Sequence, residues 1–370
     1  MPEIHTTRRD ALRQRLAEAE LAALLVTDLR NIRYLTGFTG SNAALLVTGS
    51  EGGTVFCTDG RYTAQAEAEV PELRRMIERP SATALVGHAR RVLARGGAGG
   101  VGDVVGFESD HVSVEQHATL ADAAGEITLR RAPGLTEALR ERKDETEVAA
   151  LRQACAAADR ALADLLEHGG LRPGRTEREV ARELENRMAE HGAQATAFPS
   201  IVAAGANSAV PHHRPTAAVL AKGDFVKLDF GAVVDGYHSD MTRTVVLGEP
   251  AQWQREVYEL VSRAQAAGAA AVRPGRELAE VDRAARDVIA AAGYGERFPH
   301  GLGHGVGLDV HEAPSLAATA VGTLSACMAV TVEPGVYLAG RGGVRIEDTL
   351  VVREGTPELL TLSTKELVVA

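Results

Sequence analysis

The sequence predicts an α/β protein in two parts: an N-terminal α/β domain over residues 1–134, and a second domain over 135–370 built from a duplicated α+β unit. Three observations point there. Strand-like and helix-like runs alternate through the first 132 residues. Ala132-Pro133-Gly134 then breaks the chain, placing a domain boundary within 132–144. Finally, a signature that begins at Arg172 returns at Arg273, 101 residues on (273 − 172).

In the first part, Thr7 is placed to cap a helix through Ala11, Leu12 and Leu16, and Leu24-Leu25-Val26 reads as a buried strand. Ala43 to Thr48 and Thr54 to Thr58 read as paired strands joined by a Gly-rich turn. Asp59-Gly60-Arg61-Tyr62 opens a helix, and a further strand near Val101 to Phe107 follows the glycine run Gly96 to Gly100. His88, His111 and His117 are isolated, so surface or capping roles are expected for them. After Gly134, a long helix is expected over Thr136 to His168.

The second part repeats itself. RPGRTEREVARELENRMAEHGA and RPGRELAEVDRAARDVIAAAGYG each place Pro-Gly before an amphipathic helix that ends near glycine. Each follows an Ala-rich helix and leads into Phe-Pro, at Phe198-Pro199 and Phe298-Pro299. Two copies of one unit pack with pseudo-two-fold symmetry, and the cleft between them is a usual place for a site.

Composition narrows the function. The 370 residues are 45% hydrophobic and 24% charged, as in an ordinary globular protein, and the net charge is −10. That acidity argues against a nucleic-acid partner, which needs a basic surface. No apolar run reaches a membrane span, and the polar start MPEIHTTRRDALRQR lacks the apolar core of a signal peptide. Cys57, Cys155 and Cys327 are far apart and odd in number, so a reducing, cytoplasmic setting is expected.

Chemistry concentrates in residues 222–244, KGDFVKLDFGAVVDGYHSDMTRT. A two-residue turn at Asp235-Gly236 sets Asp229 opposite Thr242 and Asp240 diagonal to Asp229, with backbones about 7–8 Å apart. Carboxylates converging from neighbouring strands repel unless one is protonated or a cation lies between them. Asp229 lies in an apolar run, which disfavours a merely solvated role. Further on, HGLGHGVGLDVHE crowds His300, His304 and His311 into a Gly-alternating stretch that permits close backbone approach. Glu333 and Glu347 are acids in apolar strands, costly to bury unless paired or coordinated; Arg345 is a candidate partner for Glu347. Asp229, Asp240, His304, Glu333 and Glu347 together offer four carboxylates and one imidazole. That balances two divalent ions and suits Mn²⁺, Co²⁺ or Fe²⁺ better than a thiolate-type zinc site.

LDFGAVVDGYHSDMTRT, HGLGHGVGLDVHE, TVEPGVY and VRIED, in that order, resemble the pita-bread metallopeptidases, the group of Xaa-Pro aminopeptidase, Xaa-Pro dipeptidase (prolidase), methionine aminopeptidase and creatinase. YLTGFTGSNAALLVT followed by TDGRY resembles the N-terminal domain of the Xaa-Pro branch. The resemblance implies a creatinase-like first domain and a pita-bread catalytic domain. It implies two divalent ions, Mn most expected, with Co, Fe or Zn as alternatives: Asp229 on one, His304 and Glu333 on the other, Asp240 and Glu347 bridging. It makes Glu333 the proton shuttle. FPSIVAAGANSAVPHHRPT resembles the segment that supplies a substrate-binding histidine, matched by His212. His212 and His311 would act in catalysis, and with His300, Tyr337 and Arg345 they would bind substrate and support the tetrahedral intermediate. Proline-containing peptides are the expected substrates, aminopeptidase action is favoured with dipeptidase action as the alternative, and a homodimer through the first domain is expected. Creatinase works without metal, and the full ligand set argues against that chemistry. A fold-sharing binding protein that has lost catalysis is the reading from another class.

Overall fold

The computed structural model describes residues 2–93 and 103–370. The chain divides into two compact units, Met1–Arg140 and Glu141–Ala370.

The first unit is a six-stranded sheet in the order β4-β3-β2-β1-β5-β6. Its strands are β1 (Ala23–Val26), β2 (Ala43–Thr48), β3 (Val55–Thr58), β4 (Arg74–Ile77), β5 (Val104–Phe107) and β6 (Thr128–Arg131). The expected β2–β3 pair is antiparallel, and β1–β5, β3–β4 and β5–β6 are parallel. Helices α1 (Pro2–Glu18), α2 (Leu29–Thr36), α3 (Thr63–Glu69), α4 (Ser81–Leu93), α5 (Val114–Ala124) and α6 (Glu137–Arg140) complete it. A core of Leu25, Leu46, Val86, Val105 and Leu120 lies under α4 and α5.

Two sequence expectations need correction here. Thr7 does not cap α1, which already starts at Pro2; its hydroxyl donates back to the Glu3 carbonyl within the helix. The strand near Val101 to Phe107 is Val104–Phe107, and the Gly96–Gly100 run and Val101 lie outside the described residues. The compact first unit ends at Arg140. Glu137 and Arg140 both bond Asn31, at 2.5 and 2.8 Å, which ties α6 to this unit.

The single helix expected over Thr136 to His168 is two: α6, then α7 (Glu145–Glu167). Asp144 restarts the helix. Its carboxylate accepts from the Thr146 and Glu147 N–H groups, and Glu147 reaches back to the Asp144 N–H, a reciprocal capping box.

The second unit continues with α8 (Glu177–Glu190), β7 (Ala195–Thr196), β8 (Ile201–Ala204), β9 (Phe225–Phe230), β10 (Ala232–Val234), β11 (Tyr237–His238) and β12 (Met241–Val246). Then come α9 (Gln252–Ala271), α10 (Leu278–Ala291), β13 (Gly303–Gly305), β14 (Glu312–Leu316), β15 (Ala329–Val332), β16 (Gly335–Leu338), β17 (Gly342–Arg345), β18 (Asp348–Val351) and β19 (Glu358–Leu359). The internal repeat is visible in hydrogen bonds. Gly174 N–H donates to Leu220 at 2.9 Å and Gly275 N–H to Leu324 at 2.8 Å; Leu220 and Leu324 return bonds to Arg175 and Arg276, both 2.8 Å. Strand order repeats as well: β8-β9-β12 in one half and β13-β15-β18 in the other, all antiparallel.

Each half buries its strands under its own helix pair. Val226, Leu228 and Phe230 pack with Leu162, Leu165 and Leu184 of α7 and α8. Val330, Val332 and Leu350 pack with Val261, Val281 and Ile289 of α9 and α10. Side chains on successive strand residues point to opposite faces. With the even-numbered β9 residues in the core, Lys227 and Asp229 must face the other way.

Candidate metal centre

The hairpin from β9 to β12 keeps one register throughout. Asp229 pairs with Thr242, Val233 with His238 and Val234 with Tyr237. Asp235 and Gly236 at its tip have φ of 49° and 75°, the left-handed pair that matches the twist of a hairpin. Asp229 and Asp240 therefore converge as the sequence predicts. In the second half, Glu333 follows β15 as Asp229 sits near the end of β9, and Glu347 precedes β18 as Asp240 precedes β12. The repeat thus delivers one pair of acids per half to a common place. His304, on β13, is the exception: pairing Gly305 with Val330 as Ala204 pairs with Val226 sets it level with Ala203.

Ligand atoms cluster in three overlapping sets: Asp229–Asp240–Glu347, His304–Glu333–Glu347 and Asp240–His304–His311. Within each set the atoms lie within 4.8 Å of one another. His304 Nε2 is 3.3 Å from Glu333 and 3.6 Å from Asp240. Its Nδ1 faces the Gly305 carbonyl at 3.0 Å, so Nδ1 carries the proton and Nε2 is free to coordinate. Gly303 permits this approach, since a Cβ there would meet the Thr331 carbonyl oxygen at 2.0 Å.

The electrostatics are those of buried carboxylates crowded together. Asp240 and Glu347 are 4% and 2% exposed. Burial, then their carboxylate neighbours, pushes both well above the usual carboxylate range. Glu333 goes the other way. Burial opposes its charge, but His304, Arg345 and His300 hold it down at about 2. His304 is raised because Glu333 outweighs the effect of burial. This donor set, four carboxylates and one imidazole with two acids held off their ordinary titration, fits a pair of divalent ions.

Arg345 is not the partner of Glu347 that the sequence suggested. Its guanidinium bonds Asp229 and lies 3.9 Å from Glu333, whereas Glu347 accepts the Thr242 hydroxyl at 2.7 Å. Glu347 sits in the link between β17 and β18 rather than within a strand, its N–H on the Thr242 carbonyl.

A cavity of about 430 Å³ opens onto the cluster. Its wall includes Asp229, Asp240, His304, Glu333, Glu347, His212, His300 and His311, with Phe198 and Ile201. Tyr337 and Arg345 stand behind that wall, 6% and 1% exposed. They reach the cavity through His300: Arg345 donates to the Tyr337 oxygen at 2.9 Å, and that oxygen lies 2.8 Å from His300 Nε2. Burial pushes the Tyr337 phenol up to about 12 and keeps it protonated. His300 and His311 are lowered, chiefly by burial, and are neutral near pH 7. His213, beside His212, turns away and bonds Glu177 at 2.8 Å.

A model of metallopeptidase family M24 matches residues 149–354, and one of the creatinase/prolidase N-terminal domain matches residues 8–142. The chain belongs to metallopeptidase family M24. The uncharacterized peptidase YqhT of Bacillus subtilis is 37% identical over 97% of this chain and 99% of its own length. The structure of the Xaa-Pro dipeptidase from Bacillus anthracis superposes with a TM-score of 0.92 at 36% identity, covering 99% of this chain and 100% of that one. The X-Pro aminopeptidase of Thermotoga maritima follows at 0.86 and 32%, covering 98% and 99%. The M24 assignment brings with it the pita-bread fold and a dinuclear metal site, and the cluster around Asp240 and Glu347 has the donors for one.

Sequence reasoning passed over Lys227 and Glu177. Lys227 is wholly buried within FVKLDF, and a lysine inside an apolar strand was the available signal. Glu177, also wholly buried, carried no such signal, because the first turn of a helix commonly holds an acid at the surface.

Proposed function

We propose that this M24 enzyme hydrolyses the bond before proline in Xaa-Pro peptides, with aminopeptidase action the first reading and dipeptidase action the second. The observation that carries it is the cavity wall on which five potential ligands meet three further histidines, His212, His300 and His311. Solved relatives bearing both names support the substrate class and keep both readings in play.

Asp229 would hold one ion, His304 and Glu333 the other, with Asp240 and Glu347 between them. Two divalent ions at that place, Mn²⁺ foremost, would polarise the scissile carbonyl and acidify water near neutral pH. Glu333, at the cavity wall, takes the proton of the attacking water and returns it to the prolyl nitrogen. His212 and His311 donate hydrogen bonds to substrate, while His300, its Nδ1 on the Gly301 carbonyl and its Nε2 on the Tyr337 hydroxyl, both at 2.8 Å, lines the pocket with its ring. A bond to proline has no N–H and a fixed φ, so a general peptidase loses a main-chain contact there. A shaped pocket with strong carbonyl activation replaces that contact.

Supporting charge and cysteine usage favour a cytoplasmic enzyme, and the N-terminal domain type favours a homodimer. Among the described residues, no helix is long and apolar enough to cross a membrane. The test is turnover with Mn²⁺ of an Xaa-Pro dipeptide against an Xaa-Pro-Yaa tripeptide. Cleavage of both supports the aminopeptidase reading, cleavage of the dipeptide alone supports the dipeptidase, and cleavage of neither removes the proposal.

A further inference from the structure

The segment that carries His212 is fastened from both sides by two buried polar residues, Lys227 and Glu177, that do not line its cavity. Lys227 lies on the same face of β9 as Asp229 and is wholly buried. Burial, then the charge of Arg345, pushes its amine down to about 6, and a polar group buried this deeply is costly unless its N–H groups are used. Its Nζ donates to the carbonyls of Val210 at 2.6 Å and Pro211 at 3.1 Å, the two residues directly before His212. Arg345 adds a bond to the same Pro211 carbonyl at 3.2 Å. The Tyr337 ring covers the amino group, its centroid 5.1 Å from Nζ.

On the far side of His212, Glu177 does the complementary work. Its carboxylate accepts from His213 at 2.8 Å, from the Thr216 N–H and hydroxyl at 2.9 and 2.7 Å, and from Asn207 and the Ala204 N–H, both 2.9 Å. The Lys227 amino group holds the carbonyls before His212, and the Glu177 carboxylate holds the donors around and after it. His212 projects into the cavity from between these two anchors. An imidazole on an irregular segment keeps its place only if the backbone under it is fixed, and a displacement of about 1 Å can cost a hundredfold in productive encounter.

We propose that Lys227 is a positioning residue for His212: by holding the Val210 and Pro211 carbonyls, it sets where His212 meets substrate and thereby governs KM. The proposal rests on the Xaa-Pro reading of the cavity, in which His212 touches substrate and Lys227 does not.

The test is a double-mutant cycle on the Mn²⁺-loaded full chain, using whichever Xaa-Pro peptide the wild type cleaves. Lys227→Met should raise KM about tenfold, the usual size of a supporting-residue effect, with kcat changed less than about threefold. His212→Ala should raise KM at least as much, and adding Lys227→Met to it should change little further. A second measurement reads the metal-free protein. The His212 imidazole proton resonance, assigned by its loss in His212→Ala, should be sharp in wild type and shifted or broadened in Lys227→Met. An unchanged KM, an undiminished second effect in the double variant, or an unmoved resonance would each overturn the proposal. If Lys227→Met does not fold, Lys227→Gln keeps an N–H donor on a shorter stem. It should give a raised KM, and a wild-type KM would overturn the proposal equally. A wild type that cleaves no Xaa-Pro peptide sinks the functional reading instead, while the resonance still reports on the anchor.

Discussion

His300 Nε2 and the Tyr337 oxygen are 2.8 Å apart, and this contact is the link between the cavity wall and the buried cation behind it. Arg345 completes the line, donating to Tyr337 and to Asp229. An imidazole on the cavity wall is thus coupled through a phenol and a guanidinium to the Asp229 carboxylate. Tyr337→Phe removes one oxygen and leaves the ring in place. It should lower kcat/KM about 10–100-fold while bound metal, measured by elemental analysis, stays near the wild-type level. Unchanged kinetics would show that His300 does not need its partner.

Asp240 is held against its neighbours rather than by them. Burial and three other carboxylates push it well above the usual range. Asp240→Asn keeps the shape and removes the charge. The metal-free variant should be more stable than metal-free wild type by about 1–2 kcal/mol at pH 8, while metal content and turnover fall. Urea denaturation of the chelated proteins checks the first half, and elemental analysis with a peptide assay checks the second. A destabilised, still metal-replete variant would contradict the bridging place given to Asp240.

Gly231 sits where the hairpin pinches, directly before β10. A Cβ there would lie 1.9 Å from the Ser239 carbonyl oxygen, backbone that cannot swing aside. Gly231→Ala should cost about 1–3 kcal/mol in urea denaturation and displace Asp240, the residue after Ser239, so metal content should drop as well.

Glu108 gives the first unit a pH dependence of its own. Burial raises its carboxyl from 4.5 to about 7, despite bonds from the Thr27 and Asp28 N–H groups and Asn31. The folded state then binds a proton more tightly than the unfolded state. Its stabilising effect is fully present below about pH 4.5 and is lost as pH rises toward 7, a decline of roughly 3 kcal/mol. Hydrogen exchange at the β1 amides should quicken across that window beyond the intrinsic rate. In Glu108→Gln, that added pH dependence should vanish.

The sequence made the hairpin legible because its geometry is local. A two-residue turn with Asp-Gly fixes every pairing, and Asp229 opposite Thr242 follows by counting. The repeat was legible for a similar reason, since Arg-Pro-Gly marks a helix entry in both halves. Tertiary partners were not legible. Arg345 is two residues from Glu347 in the chain, yet strand alternation and packing send its guanidinium to Asp229. Which of the adjacent His212 and His213 faces the cavity is decided by Glu177, whose position in space depends on how α8 packs. The helix break at Asp144 was written locally as a capping box, but the Ala-rich stretch around it has strong helical propensity and masked the signal.

Peptide turnover by chelator-stripped protein, before and after Mn²⁺ is restored, tests most directly whether these five side chains form a working dinuclear centre. No cleavage of Xaa-Pro peptides by the stripped chain is expected, with full recovery as the second ion per chain is bound. Cleavage at the same rate without metal, or a chain that takes up two ions and still leaves every Xaa-Pro peptide intact, would contradict it.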